Sequence, residues 1–213
     1  MNKKIIISIL IFILIITFIF LYITRAPSAP SKSIDSVINT EISTSTNRNY
    51  KISKKSSIEF KIDEILRDKP FTAIGISNEI AGNISIENNK IILDTVAINA
   101  KTFKTDDSRR DGAITRLILK SEDPANEFMY FKATRIEGSD SILNIFGDLT
   151  ISGITKPAQF GMTINITDEK ITGIATSTIK RSDFNLKIPS LSFIASVDDE
   201  FKIIANIVAD RVL

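Results

Sequence analysis

"AQFGMTINIT", residues 158–167, places Phe160, Met162, Ile164 and Ile166 at every second position, with Gln159, Gly161, Thr163 and Asn165 between them. Successive side chains of an extended strand point to opposite faces, so this spacing predicts a β-strand with one face buried and the other in water. A helix would repeat its apolar stripe every three or four residues, and a strand buried on both faces would be apolar throughout.

The same period of two recurs on either side of this stretch. "SSIEFKID" (56–63) carries Ile58, Phe60 and Ile62 on one face, "NISIE" (83–87) carries Ile84 and Ile86, and "TVAINAKT" (95–102) carries Val96, Ile98 and Ala100. "ILNIFGDLTIS" (142–152) sets Leu143, Ile145, Leu149 and Ile151 in step with Gly147, and "EFKIIANIVAD" (200–210) aligns Phe201, Ile203, Ala205 and Ile207. Turn residues fall between these runs at Asn88-Asn89, Gly138-Ser139-Asp140, Gly153 and Asp168-Glu169-Lys170, which predicts short antiparallel connections. About eight one-faced strands fit a closed barrel or a sandwich, and closure removes exposed edges. In "ITGIATSTIK" (171–180) the small residues Gly173, Ala175 and Ser177 share a face. Turned inward, that face makes room for a ligand; the other reading is that it lies beneath a packed helix.

"TFKTDDSRRDGAITRLILK", residues 102–120, breaks the pattern. Ala113, Ile114, Leu117 and Ile118 recur at helical spacing, and Ser108 with Asp111 has the form of a capping box. Asp106, Asp107 and Asp111 then sit at the positive end of the helix, with Arg116 and Lys120 near its C-terminus. The dense charge is read as a helix start. As a cation site it lacks the alternating oxygen ligands and distal glutamate of an EF-hand, and as a catalytic pair it lacks a nucleophile and base. The acidic run Asp198-Asp199-Glu200 reads as a solvated turn before the last strand.

The chain has 213 residues, 43% of them hydrophobic, and contains neither Cys nor His. That length suits one domain with an appendage. The two missing residue types exclude disulfides, thiolate nucleophiles, histidine acid–base chemistry and zinc sites, leaving only oxygen-ligated cations. Lys3, Lys4 and Arg25 supply the excess of base over acid, so the remainder is near neutral and offers no footprint for nucleic acid. No Walker A sequence occurs, and the sequons at Asn83 and Asn165 fall within expected strands.

Residues 5–23, "IIISILIFILIITFIFLYI", would form about 28 Å of helix at ~1.5 Å per residue, enough to cross a bilayer's hydrocarbon core. Residues 1–25 are therefore expected to be a transmembrane anchor, with Lys3 and Lys4 holding the N-terminus in the cytoplasm and the remainder exported. The rival is a cleaved signal peptide, for which Ala26 and Ser28 offer small residues, but its apolar region normally runs only about 7–15 residues. Residues 26–48, rich in Ser, Thr and Pro, read as a flexible linker with a short helix near Ile34 to Ile38, and 49–213 as the folded domain.

Taken in order, "TFKTDDSRRDGAITRLILKS", "FGDLTISGITKPAQFGMTINI", "STIKRSDFNLKIPSL" and "FKIIANIVA" resemble the YceI-like family over residues 50–213. The resemblance implies a lipocalin-like antiparallel barrel with a helix over residues 109–119 as its lid, holding a polyisoprenoid or isoprenoid-quinone type lipid. The barrel interior is then expected to present Phe60, Ile84, Ile86, Val96, Ile98, Phe131, Leu143, Ile145, Phe160, Met162 and Ile164. Further along the chain it would present Ile179, Phe184, Phe201 and Ile203, with Ile114, Leu117 and Ile118 from the lid. Residues 63–82 depart from the commoner family pattern, which has a shorter connection there. The expected function is a membrane-anchored, extracytoplasmic lipid-binding protein without catalysis or cofactor. The alternative is a β-rich interaction or adhesion module whose interior is simply packed.

Overall fold

The computed structural model of the chain describes residues 48–139, 141–188 and 195–212, together with Leu14, Thr17, Ser33 and Ile34. Its strands are β1 (Arg48–Ile52), β2 (Ser57–Leu66), β3 (Lys69–Ser77), β4 (Ile80–Ala81), β5 (Asn83–Glu87) and β6 (Lys90–Leu93). They continue with β7 (Val96–Asn99), β8 (Phe128–Ser139), β9 (Ile142–Ile151), β10 (Ile154–Ile166), β11 (Lys170–Lys180) and β12 (Ala195–Val212). One antiparallel sheet runs in the order β4-β7-β8-β9-β10-β11-β12-β1-β5-β6, with β2 on β12 and β3 on β2.

The all-β class and the antiparallel curl follow the expectation, but among the described residues the strand count is 12 rather than about eight, and the sheet is a half-barrel. Two features account for the difference. β12 is 18 residues long and divides one edge between partners, β2 along Ala195–Asn206 and β1 along Ala209–Val212. The run Lys69–Glu87 bends twice, so that β3 pairs β2, β4 pairs β7 and β5 pairs β1. Strands as short as β4, with two residues, and β6, with four, give no long period-two signal.

β10 shows why alternation dictates this curl. Phe160, Met162 and Ile164 are buried while Gln159, Gly161, Thr163 and Asn165 are exposed. β9 pairs in register, Ile145 opposite Phe160 and Leu143 opposite Met162, so apolar residues share the concave face. Asp198-Asp199-Glu200 is not a turn before the last strand. It lies within β12, where the pairing with β2 shifts between Val197 and Phe201, and a bulge of this kind bends the strand.

The charged segment does begin a helix. α1 (Ser108–Ala113) is capped by Asp107, not Ser108, because the Asp107 carboxylate accepts the Arg109 N–H at 2.8 Å. Asp111 reaches backward instead, accepting the Thr105 N–H and hydroxyl at 2.7 and 2.8 Å. After one turn the helix widens into a π-helical segment, Ile114–Ile118. Arg116, expected near the helix C-terminus, lies in this segment with its side chain 2% exposed and paired with Glu122 at 3.1 Å.

The anchor expected over residues 1–25 lies, apart from Leu14 and Thr17, outside the described residues, as does most of the 26–48 linker. Among the described residues no helix is long and apolar enough to cross a membrane. One linker residue departs from a fully solvated spacer: Ile34 is 7% exposed and packs with Ala81, Ala97, Phe128 and Tyr130 on the outside of β4, β7 and β8. Ala97 is consequently buried although it points away from the interior.

Two outcomes follow. Ile34→Ala should lower stability in denaturant melts by about 2 kcal/mol or less, the transfer cost of the lost carbons capped by undocking of the segment. The Arg109 guanidinium and N–H hold the Asp107 carboxyl down to about 2. A depressed carboxylate adds stability above its unfolded value of 3.8 and loses it as pH falls through the folded one. The stability difference between the native chain and Asp107→Asn should therefore shrink between about pH 4 and pH 2, as followed by thermal melts across that range.

Candidate functional site

The concave face of the sheet and the 108–119 segment enclose a cavity of about 440 Å³. Its wall is built by alternation. β10 contributes Phe160, Met162 and Ile164, β9 contributes Leu143 and Ile145, and β12 contributes Phe201 and Ile203. Phe60 enters from β2, Ile84 from β5, Val96 and Ile98 from β7, and Phe131 from β8, while Ile114, Leu117 and Ile118 close one side from the π-helical segment. Phe131 and Phe160 meet edge to face at 5.0 Å, and Phe60 tilts against Phe103 at 5.6 Å.

Three expected site residues lie elsewhere. Ile86 is buried in the core but is not part of the cavity wall. Ile179 and Phe184 border a second, polar cleft beside β10, where the β10–β11 pairing ends at Gly161 and Thr176 and the two strands part. Other wall residues were not anticipated. Ile58 and Ile62 flank Phe60, and Leu149 and Ile151 continue the face of Leu143 and Ile145, so the period-two signal covered them. Phe103 and Leu186 come from irregular segments with no periodic signal, and Leu119 caps the π-helical segment.

Small residues act in two ways. Ala175 lines the cavity and leaves space there. Gly173 does not, for a Cβ at that position would stand 2.5 Å from Met162 Cε and 2.7 Å from the Thr163 carbonyl oxygen. Gly75 likewise admits the Phe60 ring, whose Cε1 would lie 2.2 Å from an added Cβ. Thus Met162 and Phe60 extend across neighbouring strands because glycine faces them.

Polar groups gather at one end of the cavity. Glu64 of β2 pairs with Arg110 of α1 at 3.3 Å, and the same guanidinium reaches Asp106 at 2.6 Å and lies 5.3 Å from the centre of the Phe71 ring. Arg181, in the 3-10 turn Arg181–Phe184, donates to the carbonyls of Asp198, Leu186 and Val197. That turn is fixed to the β12 bulge by Asp199, which accepts the Ser182 N–H at 3.0 Å and hydroxyl at 2.7 Å. The Ser182 hydrogen bonds hold the Asp199 carboxyl below its usual value. Among the described residues no cluster of three or more Asp, Glu, His or Cys could hold a metal ion. The arrangement is suited to an amphiphile with a long apolar part and a polar end.

Solved structures share this fold. The protein BcnA of Burkholderia cenocepacia superposes with a TM-score of 0.60 at 17% identity, covering 74% of this chain and 98% of its own. A YceI protein of Campylobacter jejuni gives 0.53 at 21% identity over 63% of this chain and 82% of its own. A polyisoprenoid binding domain from Saccharophagus degradans, implicated in plant cell wall breakdown, gives 0.57 at 12% identity over 76% and 98%. No curated protein matches the chain. The YceI-like domain model matches residues 50–209, three quarters of the chain and all of the half-barrel but the start of β1 and the end of β12, so this chain belongs to the YceI-like family.

Proposed function

We propose that this chain is a membrane-anchored, extracytoplasmic lipid-binding protein that holds a polyisoprenoid or isoprenoid-quinone type molecule for storage, protection or transfer. The observation that carries the reading is the cavity of about 440 Å³ walled almost wholly by aliphatic and aromatic side chains. Its size lies within the range of ~300–1,000 Å³ typical of small-molecule sites. The family and the polyisoprenoid binding domain among its structural neighbours point to the same ligand class. The apolar chain would lie along Phe160, Met162 and Ile145, with the polar end toward Glu64, Arg110 and Arg181. Binding needs no cofactor, and the reading contains no catalytic step.

Anchoring rests on the apolar run at residues 5–23, and export on Lys3 and Lys4 before it. Burying a lipid chain from water yields ~0.8 kcal/mol per CH₂, but a membrane lipid already lies in hydrocarbon, so the gain on entering the barrel largely cancels. Such a cavity suits capture and short-range transfer at high local concentration more than carriage through water.

The direct test is native mass spectrometry of the full chain, taken in mild detergent from alkali-washed membranes of its own host, followed by solvent extraction. An apolar molecule with isoprene repeats should accompany the chain at near one per protein. Protein that is repeatedly empty and stable would instead favour the interaction module with a packed interior.

A second test separates cavity from core at one position. Met162 lies on the inner face and Thr163 is exposed. In a filled core Met162→Trp should cost about 1–3 kcal/mol through overpacking. Here the indole can enter the cavity, so denaturant melts should show a smaller loss while bound lipid falls, and Thr163→Trp should leave lipid content unchanged. A large stability loss in Met162→Trp with full lipid occupancy contradicts the reading.

A further inference from the structure

Among the described residues from Arg48 onward, eight large apolar side chains are exposed, and five of them lie on one hairpin: Ile65, Leu66, Phe71, Ile74 and Ile76. The hairpin is β2–β3, closed by Arg67 and Asp68, both with positive φ of 50° and 60°. The five exposed residues all lie within its residues 65–76.

Its two faces have different neighbours. Glu64, opposite Phe71, belongs to the cavity wall, and the next pair on that face, Leu66 opposite Lys69, lies at the tip. Apolar surface therefore continues from the polar end of the cavity onto Phe71 and Leu66, which are 41% and 42% exposed. Ile65, Ile74 and Ile76 occupy the opposite face. A tip apolar on both faces is not completed by adding one strand at its edge. Pairing along β3 would satisfy backbone groups yet leave these side chains in water, and Pro70 offers no N–H to such a ladder. Immersion in a fluid apolar medium covers both faces at once.

Charge and chain path favour the same partner. Arg67 and Lys69 flank the tip against one turn carboxylate, Asp68, while Asp63 accepts the Thr72 hydroxyl at 2.6 Å and Glu64 is held by Arg110. Long basic side chains can keep their apolar stems with the tip and place their cations among anionic headgroups. Arg48 enters at the far end of β12 from the hairpin, since Asn49 pairs with Val212 whereas Leu66 pairs with Ala195. Ile34 packs on Ala81, which lies between the Arg48 partner Ile86 and the hairpin. Ile34 thus sits nearer the hairpin end than Arg48 does, on the side where the proposed N-terminal anchor would meet the bilayer.

We propose that the β2–β3 hairpin tip, led by Ile65, Leu66, Pro70 and Phe71 and flanked by Arg67 and Lys69, docks into the surface of an anionic lipid bilayer and presents the cavity mouth to it. This rests on the lipid-binding reading and specifies where the lipid would enter.

The absence of cysteine makes a site-specific test clean. The full chain carrying Leu66→Cys, labelled with an environment-sensitive fluorophore, is reconstituted into vesicles containing brominated-chain phosphatidylcholine, with or without phosphatidylglycerol. Glu169→Cys, in the β10–β11 turn at the opposite end, is the control. A tip that sinks to the headgroup–acyl boundary should be quenched about threefold more than the control. The excess should grow with phosphatidylglycerol and shrink in Arg67→Glu/Lys69→Glu. Equal quenching at both sites overturns the proposal, as does equal quenching accompanied by label-to-label contact between copies, which would assign the hairpin to self-association. Lipid extracted from the same preparation separates the two readings. Bound lipid without excess quenching at residue 66 leaves lipid binding standing and removes the docking surface. Excess quenching with an empty cavity upholds the surface and removes lipid binding.

Discussion

The half-barrel depends on the hydrogen bonding of β12. Along its 18 residues one edge is committed to β11 from Lys180 to Lys170, while the other serves β2 and then β1. A strand shared in this way must bend, and the shift between Val197 and Phe201 supplies the bend. Beyond it Phe201, Ile203, Ala205, Ile207 and Ala209 all turn toward the interior. The cavity follows from this constraint. Strands apolar on one side must enclose that side, and the small Ala175 and Ala205, paired across β11 and β12, leave the enclosed volume incompletely filled.

The 108–119 segment closes one side of the interior through unlike contacts. Its apolar residues Ile114, Leu117 and Ile118 join the cavity wall, while its first turn is fixed by ion pairs at the rim. Arg110 links three elements, with Asp106 before the helix, Glu64 on β2 and the Phe71 ring on β3. Partly exposed pairs of this kind contribute only modestly to stability. Their effect is geometric, since they fix the helix start relative to the hairpin and define which end of the cavity is polar.

Sequence alone made β2, β9, β10, β11 and β12 legible because each has one wet face. Phe160, Met162 and Ile164, or Leu143 and Ile145, could be assigned inward from spacing alone, and the structure places them there. β3 was illegible for a definite reason. Its inward residues beyond Phe71 are the small Ala73, Gly75 and Ser77, while the larger Ile74 and Ile76 face outward, so its pattern reads inside out. The Phe60 ring fills the space over Gly75 from the neighbouring strand, a compensation invisible without the register. β8 was obscured differently: Phe128 packs on Ile34 outside while Met129 and Phe131 face the cavity, and a register shift after Ala133 breaks the period further along. The helix was found but its cap misassigned by one residue, since Asp107 and Ser108 are both good capping residues and only geometry decides between them.

A cavity with an apolar wall has little reason to prefer a membrane lipid over the membrane itself, because both surroundings satisfy the same hydrocarbon. If the ligand is such a lipid, its occupancy is set less by the wall than by the polar rim and by the distance between mouth and bilayer. Glu64, Arg110 and Arg181 are then the groups able to distinguish one headgroup from another, because their charges lie where the chain's apolar part ends. On the proposed docking, the exposed hairpin would govern the second factor, by determining which end of the half-barrel meets the lipid. The wall would select for apolarity and length, the rim for chemical identity, and the hairpin for the place where exchange occurs.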